Sequence, residues 1–144
     1  MHSLNTHPLI KKYIQNNNFG KHLDLNFSIV KPGVALYVCD IQQKHLATPH
    51  AAHGGLIAVL FDSCMGVGAL SLVCSSAKIV STLEMKISFL RAVKPGEKII
   101  VKSNCLKRGN NILHMEANMY NEEDIILAKS SGTFNAFPKE KGGY

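Results

Sequence analysis

The chain has 144 residues, 16 Lys and Arg against 10 Asp and Glu, 46% hydrophobic residues, 18% charged residues and 4 cysteines. A domain usually takes ~100 to 200 residues, so there is room for one sizeable core and none for a separate cofactor domain. The apolar fraction excludes disorder, the cysteine count excludes a disulfide scaffold, and the net charge of +6 leaves nucleic acid, a membrane surface or an anionic small molecule as possible partners.

In chain order, residues 1–19 mix His, Asn and Lys with isolated apolar residues and lack the apolar run of a secretion signal. This predicts a soluble, cytoplasmic protein in which Cys39, Cys64, Cys74 and Cys105 are free thiols. They form no C-x-x-C, so neither a zinc site nor a redox pair is suggested. Leu9, Ile10, Tyr13 and Ile14 predict a short amphipathic helix over 8–18 that Gly20 ends, giving an N-terminal helical segment over 1–23. Two β-like runs follow, 23–30 and 34–41, joined as a hairpin by Lys31-Pro32-Gly33. Residues 42–52, with His45, Pro49 and His50, read as loop. After His53-Gly54-Gly55 comes 56–70, almost wholly apolar and long enough for a helix buried on all sides. Its longest unbroken apolar stretch, 56–61, stops at Asp62, far short of the ~18 residues of a membrane span.

Beyond Lys78 the pattern becomes β. Residues 79–92, 98–106, 112–120 and 125–137 are rich in β-branched and aromatic side chains, and the short turns between them imply antiparallel neighbours. Residues 138–144 read as a polar tail. The expected fold is α+β, one long central helix wrapped by a curved antiparallel sheet of five or six strands over residues 24–137.

Asp62 is the one charged side chain between Leu56 and Leu70. Burying an unpaired carboxylate costs several kcal/mol or raises its pKa, so the residue needs a compensating reason. Its neighbours three and four positions away, Ala58, Val59, Met65 and Gly66, offer no partner, while Ala58 and Gly66 leave space beside it. The plain alternative is a solvated stripe of the helix or a distant Lys. Upstream, Gly54 and Gly55 let a ligand approach the backbone at a helix start, where free N–H groups stabilise a carbonyl oxygen acquiring charge: an oxyanion hole in outline, or else a flexible entry turn. Gly54 and Asp62 lie eight residues apart, about 12 Å along a helix. One reacting carbonyl cannot touch both, so a shared site needs a second, antiparallel copy of the helix, and a dimer is expected. Phe61, Met65 and Phe89 read as plain core or, less often at such spacing, as the lining of a ligand tunnel.

All of the net charge falls between Lys86 and Arg108, where seven basic residues face only Glu97; elsewhere nine basic residues balance nine acidic ones. The one aromatic there, Phe89, sits in an apolar strand pattern, which argues against a nucleic-acid surface. The segment reads either as a sheet edge guarded by lysines or as a landing strip for a phosphate-bearing ligand, with Arg91, Lys94, Arg108 and Gly109 as candidate contacts on two turns that a curved sheet would bring together.

The run H-G-G-L-I-A-V-L-F-D, His53 through Asp62, resembles the signature of hotdog-fold acyl-CoA thioesterases of the phenylacetyl-CoA (PaaI-like) branch. S-T-L-E-M-K-I-S-F-L-R-A-V-K-P-G-E, Ser81 through Glu97, is similar to that branch's strand after the helix. The resemblance implies hydrolysis of an acyl- or arylacyl-CoA thioester at the interface of a homodimer or homotetramer, with coenzyme A entering only as part of the substrate and no further cofactor. It implies Gly54, beside Gly55, as oxyanion donor, Asp62 of the other subunit as general base or nucleophile, Thr82 as the hydroxyl that helps place water, and His53 as a further residue of the catalytic site, in this family more often structural than catalytic. One departure is visible: Ala47 stands where many members carry Asn, and His50 in the same loop is a candidate substitute contact to substrate. The H-x-x-H spacing of His50 and His53 lies on a loop and does not aim both rings at one ion, so no metal is expected. No G-x-S-x-G elbow is present. A hotdog dehydratase or a non-catalytic acyl-CoA-binding hotdog protein are the alternatives, the latter suggested by Ala47.

Overall fold

The computed structural model describes residues 3–144; Met1 and His2, the first residues of the expected N-terminal segment, lie outside them. Helix α1 (Pro8–Asn16) starts with a proline, whose fixed φ suits a first helical position, and is capped by His7 Nδ1 accepting from Leu9 N at 3.2 Å. The single helix expected through residue 18 divides at Asn17. Its Oδ1 accepts from Gly20 N at 3.1 Å and opens a second helix, α2 (Asn18–His22). Gly20 therefore lies inside a helix instead of ending one, because a capping Asn outweighs a lone glycine as a boundary signal. Leu9 and Ile10 are buried in the common core, so this segment is packed onto the domain.

Strand β1 (Asn26–Lys31) begins three residues later than the apolar pattern suggests, because Asp24 takes a left-handed φ of 57°. Gly33, at φ 83°, turns the chain into β2 (Val34–Asp40) as expected. Within the expected loop, a 3-10 turn (Gln43–His45) and a small hairpin, β3 (Leu46–Thr48) and β4 (Ala51–Ala52), lead to the long helix α3 (Gly54–Val73). Then come β5 (Lys78–Phe89), β6 (Lys98–Arg108), β7 (Ile112–Asn121) and β8 (Ile126–Pro138). Residues 90–92 leave β5 because Leu90 N and Arg91 N both donate to Leu127 O, each at 3.0 Å. The six-stranded sheet has the order β1-β2-β6-β7-β8-β5, antiparallel throughout, and all six strands touch α3.

Leu60, Phe61, Cys64 and Met65 of α3 are fully buried. By length and composition residues 54–76 would suit a membrane span despite the short unbroken apolar run, but 67% of the apolar window is buried inside this fold. The helix is not buried on all sides, however. Ala58, Val59, Asp62, Ser63 and Gly66, recurring at helical spacing, form one half-open stripe. Phe89 is likewise not core: it is 56% exposed at the end of β5, against the start of α3.

Close approach of α3 to β6 depends on Gly68. A Cβ there would stand 2.5 Å from Ser103 Oγ and 3.1 Å from Gly33 O, and Ser103 Oγ cannot retreat because it accepts from Ala35 N at 2.9 Å and donates to Gly33 O at 3.3 Å. Gly68→Ala should therefore cost about 1–3 kcal/mol, the usual range for overpacking, seen as a lower urea midpoint with unchanged slope.

The segment expected as a polar tail is polar but not free. Pro138 belongs to β8, Lys139–Gly142 makes a 3-10 turn anchored by Lys139 N donating to Ala77 O at 3.1 Å, and half-buried Tyr144 returns to α1, where Lys12 Nζ lies 5.9 Å from its ring centre.

Candidate active site

The register of β5 against β8 pairs Thr82 with Phe134, whose side chain is in the core, so Thr82 faces the helix. A bulge between Thr82 and Glu84 follows at once and leaves Leu83 57% exposed; such irregularities re-aim side chains beside functional sites. Opposite, Asp62 lies on the half-open stripe of α3, and Thr82 Oγ1 donates to Asp62 Oδ1 at 2.5 Å. Among the described residues Asp62 makes no salt bridge. Its partner is a hydroxyl, which fixes the carboxylate without neutralising it.

Asp62 forms part of the wall of a cavity of about 380 Å3. Ser63, Gly66 and Leu70 of α3, Ile79 and Thr82 of β5, and Phe134 line one side; Leu9, Tyr13, Asn17 and Phe19 of the N-terminal helices, with Tyr144, close the other. The Tyr13 hydroxyl accepts from Asn17 Nδ2 at 3.0 Å, and burial raises its pKa. Beneath it Tyr37, 1% exposed, has its hydroxyl without a hydrogen bond among the described residues. None of these N-terminal residues stands out in the sequence as a site residue. The available signal was weak, namely that Leu9 and Tyr13 share one face of an amphipathic helix.

At the other end of α3, His53 is the N-cap. Its Nδ1 accepts from Gly55 N at 2.7 Å, so the Gly55 N–H is already used and His53 has a structural place. Gly54 N makes no hydrogen bond among the described residues, and a Cβ at Gly54 would meet only the Phe89 ring, at 3.5 Å. Of the two glycines, Gly54 is the one able to serve an oxyanion. His50 and Ala47 are exposed on the β3–β4 hairpin, with His50 N donating to Thr48 Oγ1 at 3.3 Å. Among the described residues no three His, Cys, Asp or Glu side chains gather as a metal set. The four cysteines are free; burial pushes the Cys64 thiol up to about 12 and Cys39 to about 11, which leaves them as thiols near neutral pH and unsuited to attack.

The two basic turns are not brought together. They lie at opposite ends of β6, whose ten-residue rise from Lys98 to Arg108 is about 33 Å. Ala52 N donates to Val93 O at 2.8 Å, which places Arg91 and Lys94 beside the start of α3. Arg108 and Gly109 stand at the far end, where Gly109 N donates to Ile112 O at 2.8 Å in a tight turn. A sheet curved about one helix bends across its strands, so it cannot fold the two ends of a single strand onto one ligand.

A six-stranded antiparallel sheet curled around a single apolar helix defines a hotdog fold. Solved structures share it: the PaaI protein of the Escherichia coli phenylacetic acid degradation operon superposes with a TM-score of 0.81 at 16% identity, over 88% of this chain and 89% of that one. The smu.793 protein of Streptococcus mutans UA159, solved bound to acetyl-CoA, gives 0.72 at 21% identity over 79% and 89%. In sequence, human acyl-coenzyme A thioesterase 13 is 23% identical over 116 residues, 79% of this chain and 81% of that protein. The family model described as the thioesterase superfamily matches residues 50–128, more than half of the chain. The chain belongs to the thioesterase superfamily, and its class is thioester hydrolase.

Proposed function

We propose that the protein hydrolyses acyl- or arylacyl-CoA thioesters at sites shared between two copies of the chain. The observation that carries this reading is the single carboxylate of α3, Asp62, held by Thr82 at the wall of a cavity. The names of the relatives support the substrate class, since one is called an acyl-coenzyme A thioesterase and another was solved with acetyl-CoA.

The thioester carbonyl oxygen accepts from Gly54 N of one subunit, where the positive end of the α3 dipole favours the charge that develops. Asp62 of the other subunit takes a proton from water as it attacks the carbonyl carbon, or attacks that carbon itself to form an anhydride that water opens. In either route the C–S bond breaks and coenzyme A leaves as thiolate, to be protonated. Thr82 holds the carboxylate in place throughout.

Sharing is favoured by β5. It is a sheet edge of twelve residues, unpaired on one side, with Leu83 57% and Phe89 56% exposed, and a long edge of that kind is normally paired or protected. Pairing it with its own copy makes a two-fold dimer. The decisive experiment is release of coenzyme A thiol from a panel of acetyl-, hexanoyl-, palmitoyl- and phenylacetyl-CoA by the purified protein. Turnover of none of them, with tight binding of any, would make it an acyl-CoA binder instead.

Arg91 and Lys94, beside Gly54, are the residues to meet the nucleotide phosphates; Arg108 and Gly109 could reach the same ligand only from the other subunit. Arg91 Nη1 also donates to Ile126 O at 2.7 Å, so Lys94→Ala is the cleaner probe. It should raise KM for acyl-CoA a few-fold at low salt and leave KM unchanged for a short thioester lacking the nucleotide, because an exposed phosphate contact is weak, screened and acts on binding.

A further inference from the structure

The cavity beside Asp62 has a direction. Asp62, Gly66 and Leu70 lie at successive turns of α3, so this wall runs about 12 Å from the carboxylate toward the C-terminal end of the helix. At Gly66 the helix presents no side chain, and a Cβ there would meet only Phe134, at 3.5 Å. The far end is apolar, formed by Leu70 and Ile79. The opposite wall comes from outside the sheet-and-helix unit: Leu9 and Tyr13 of α1 and Tyr144 beyond β8. This wall is fixed. Leu9 is buried, and Asn17 both caps α2 and holds the Tyr13 hydroxyl. The Tyr13 ring packs 6.1 Å from that of Phe27, which stacks at 5.1 Å on Tyr37.

Resting on the thioesterase reading of this site, we propose that the acyl chain lies along α3 from Asp62 toward Leu70, and that α1 and Tyr144 are its specificity-determining wall, selecting acyl chains of short to medium length. The volume, about 380 Å3, stands near the lower end of the ~300–1,000 Å3 of small-molecule sites. Tyr144 is the wall residue to truncate to enlarge the groove, since it lines the cavity, is half-buried and lies beyond the last strand. Gly66 is the place to shorten the groove, because a larger side chain there projects between Asp62 and Leu70 and improves the local helix propensity.

The test measures kcat/KM with acetyl-, hexanoyl- and palmitoyl-CoA, together with Kd for each by calorimetry, for the wild type, Gly66→Leu and Tyr144→Ala. Thermal melts confirm that each variant folds. The wild type should prefer hexanoyl- over both others. Gly66→Leu should lower the hexanoyl-to-acetyl ratio, and Tyr144→Ala should raise the palmitoyl-to-hexanoyl ratio, each roughly tenfold, the scale on which an apolar pocket discriminates chain length. Unchanged ratios in both folded variants would overturn the proposal. If nothing is hydrolysed but the Kd ratios shift as described, the enzymatic reading fails and the assigned wall stands; if the Kd ratios are flat as well, both fail.

Discussion

Asp62→Asn should fold normally and lose hydrolysis by at least ~100-fold, the lower range for a general base. The amide keeps the shape of the carboxylate and can still accept from Thr82 Oγ1, so the loss would reflect the missing charge and basicity and not a collapsed site. The effect should fall on kcat, because the carboxylate acts on water or on the carbonyl carbon, whereas the ground-state acyl chain is held by the apolar walls. Burst kinetics would separate the two routes: a covalent anhydride gives a rapid first release of thiol, and base catalysis does not. Wild-type turnover in a folded Asp62→Asn protein would remove Asp62 from the mechanism.

A second large effect is expected at Gly54, where proline deletes the N–H and little else. Gly54 is the first residue of α3, the position at which a helix tolerates proline. His53 before it already has φ −64° and ψ 135°, the extended conformation that a following proline requires. The space beside Gly54 holds only the Phe89 ring at ordinary contact distance. Gly54→Pro should therefore lower kcat by ~100- to 1,000-fold, as loss of an oxyanion donor does elsewhere, while Gly54→Ala, which keeps the N–H, should lose far less. On the proposed reading, in which Gly54 and Asp62 act in trans, mixing folded Gly54→Pro and Asp62→Asn subunits at equal amounts should restore about a quarter of wild-type activity: half of the dimers are mixed, and each has one of two sites intact. No recovery on subunit exchange, or full activity in a monomer, would show that the site is not shared.

Much of this site is legible in the sequence because its logic is local. A lone acid in an apolar helix and two glycines at the helix start can be read from spacing alone, and the hairpin at Gly33 and the strands after Lys78 follow from turn chemistry and period. What escaped depends on contacts distant in sequence. Tyr13 and Tyr144 reach the same cavity from segments more than a hundred residues apart, and neither has a local pattern that says so. The half-open stripe of α3 exists only because the N-terminal helices and β5 stop short of covering it, whereas an apolar count predicts burial on every side. The paired basic turns failed for a related reason, since the sequence shows their closeness along the chain and not that the length of β6 separates them. Gly20 shows the reverse case, a local signal overridden by a stronger local signal from Asn17.

The order of the elements along the chain bears on how the protein comes to exist. Helix α3 is complete at Val73, but the strands β6, β7 and β8 that cover much of it end at Pro138. During synthesis 65 further residues must appear first, which at ~5–20 residues per second takes roughly 3 to 13 s. Throughout that interval an apolar segment long enough to cross a bilayer has the β1–β2 hairpin but not the finished sheet to lie against. Newly made chains are thus most exposed to membrane-targeting factors, chaperones and one another once α3 has emerged, and a pause in translation between codons 74 and 138 would prolong that exposure.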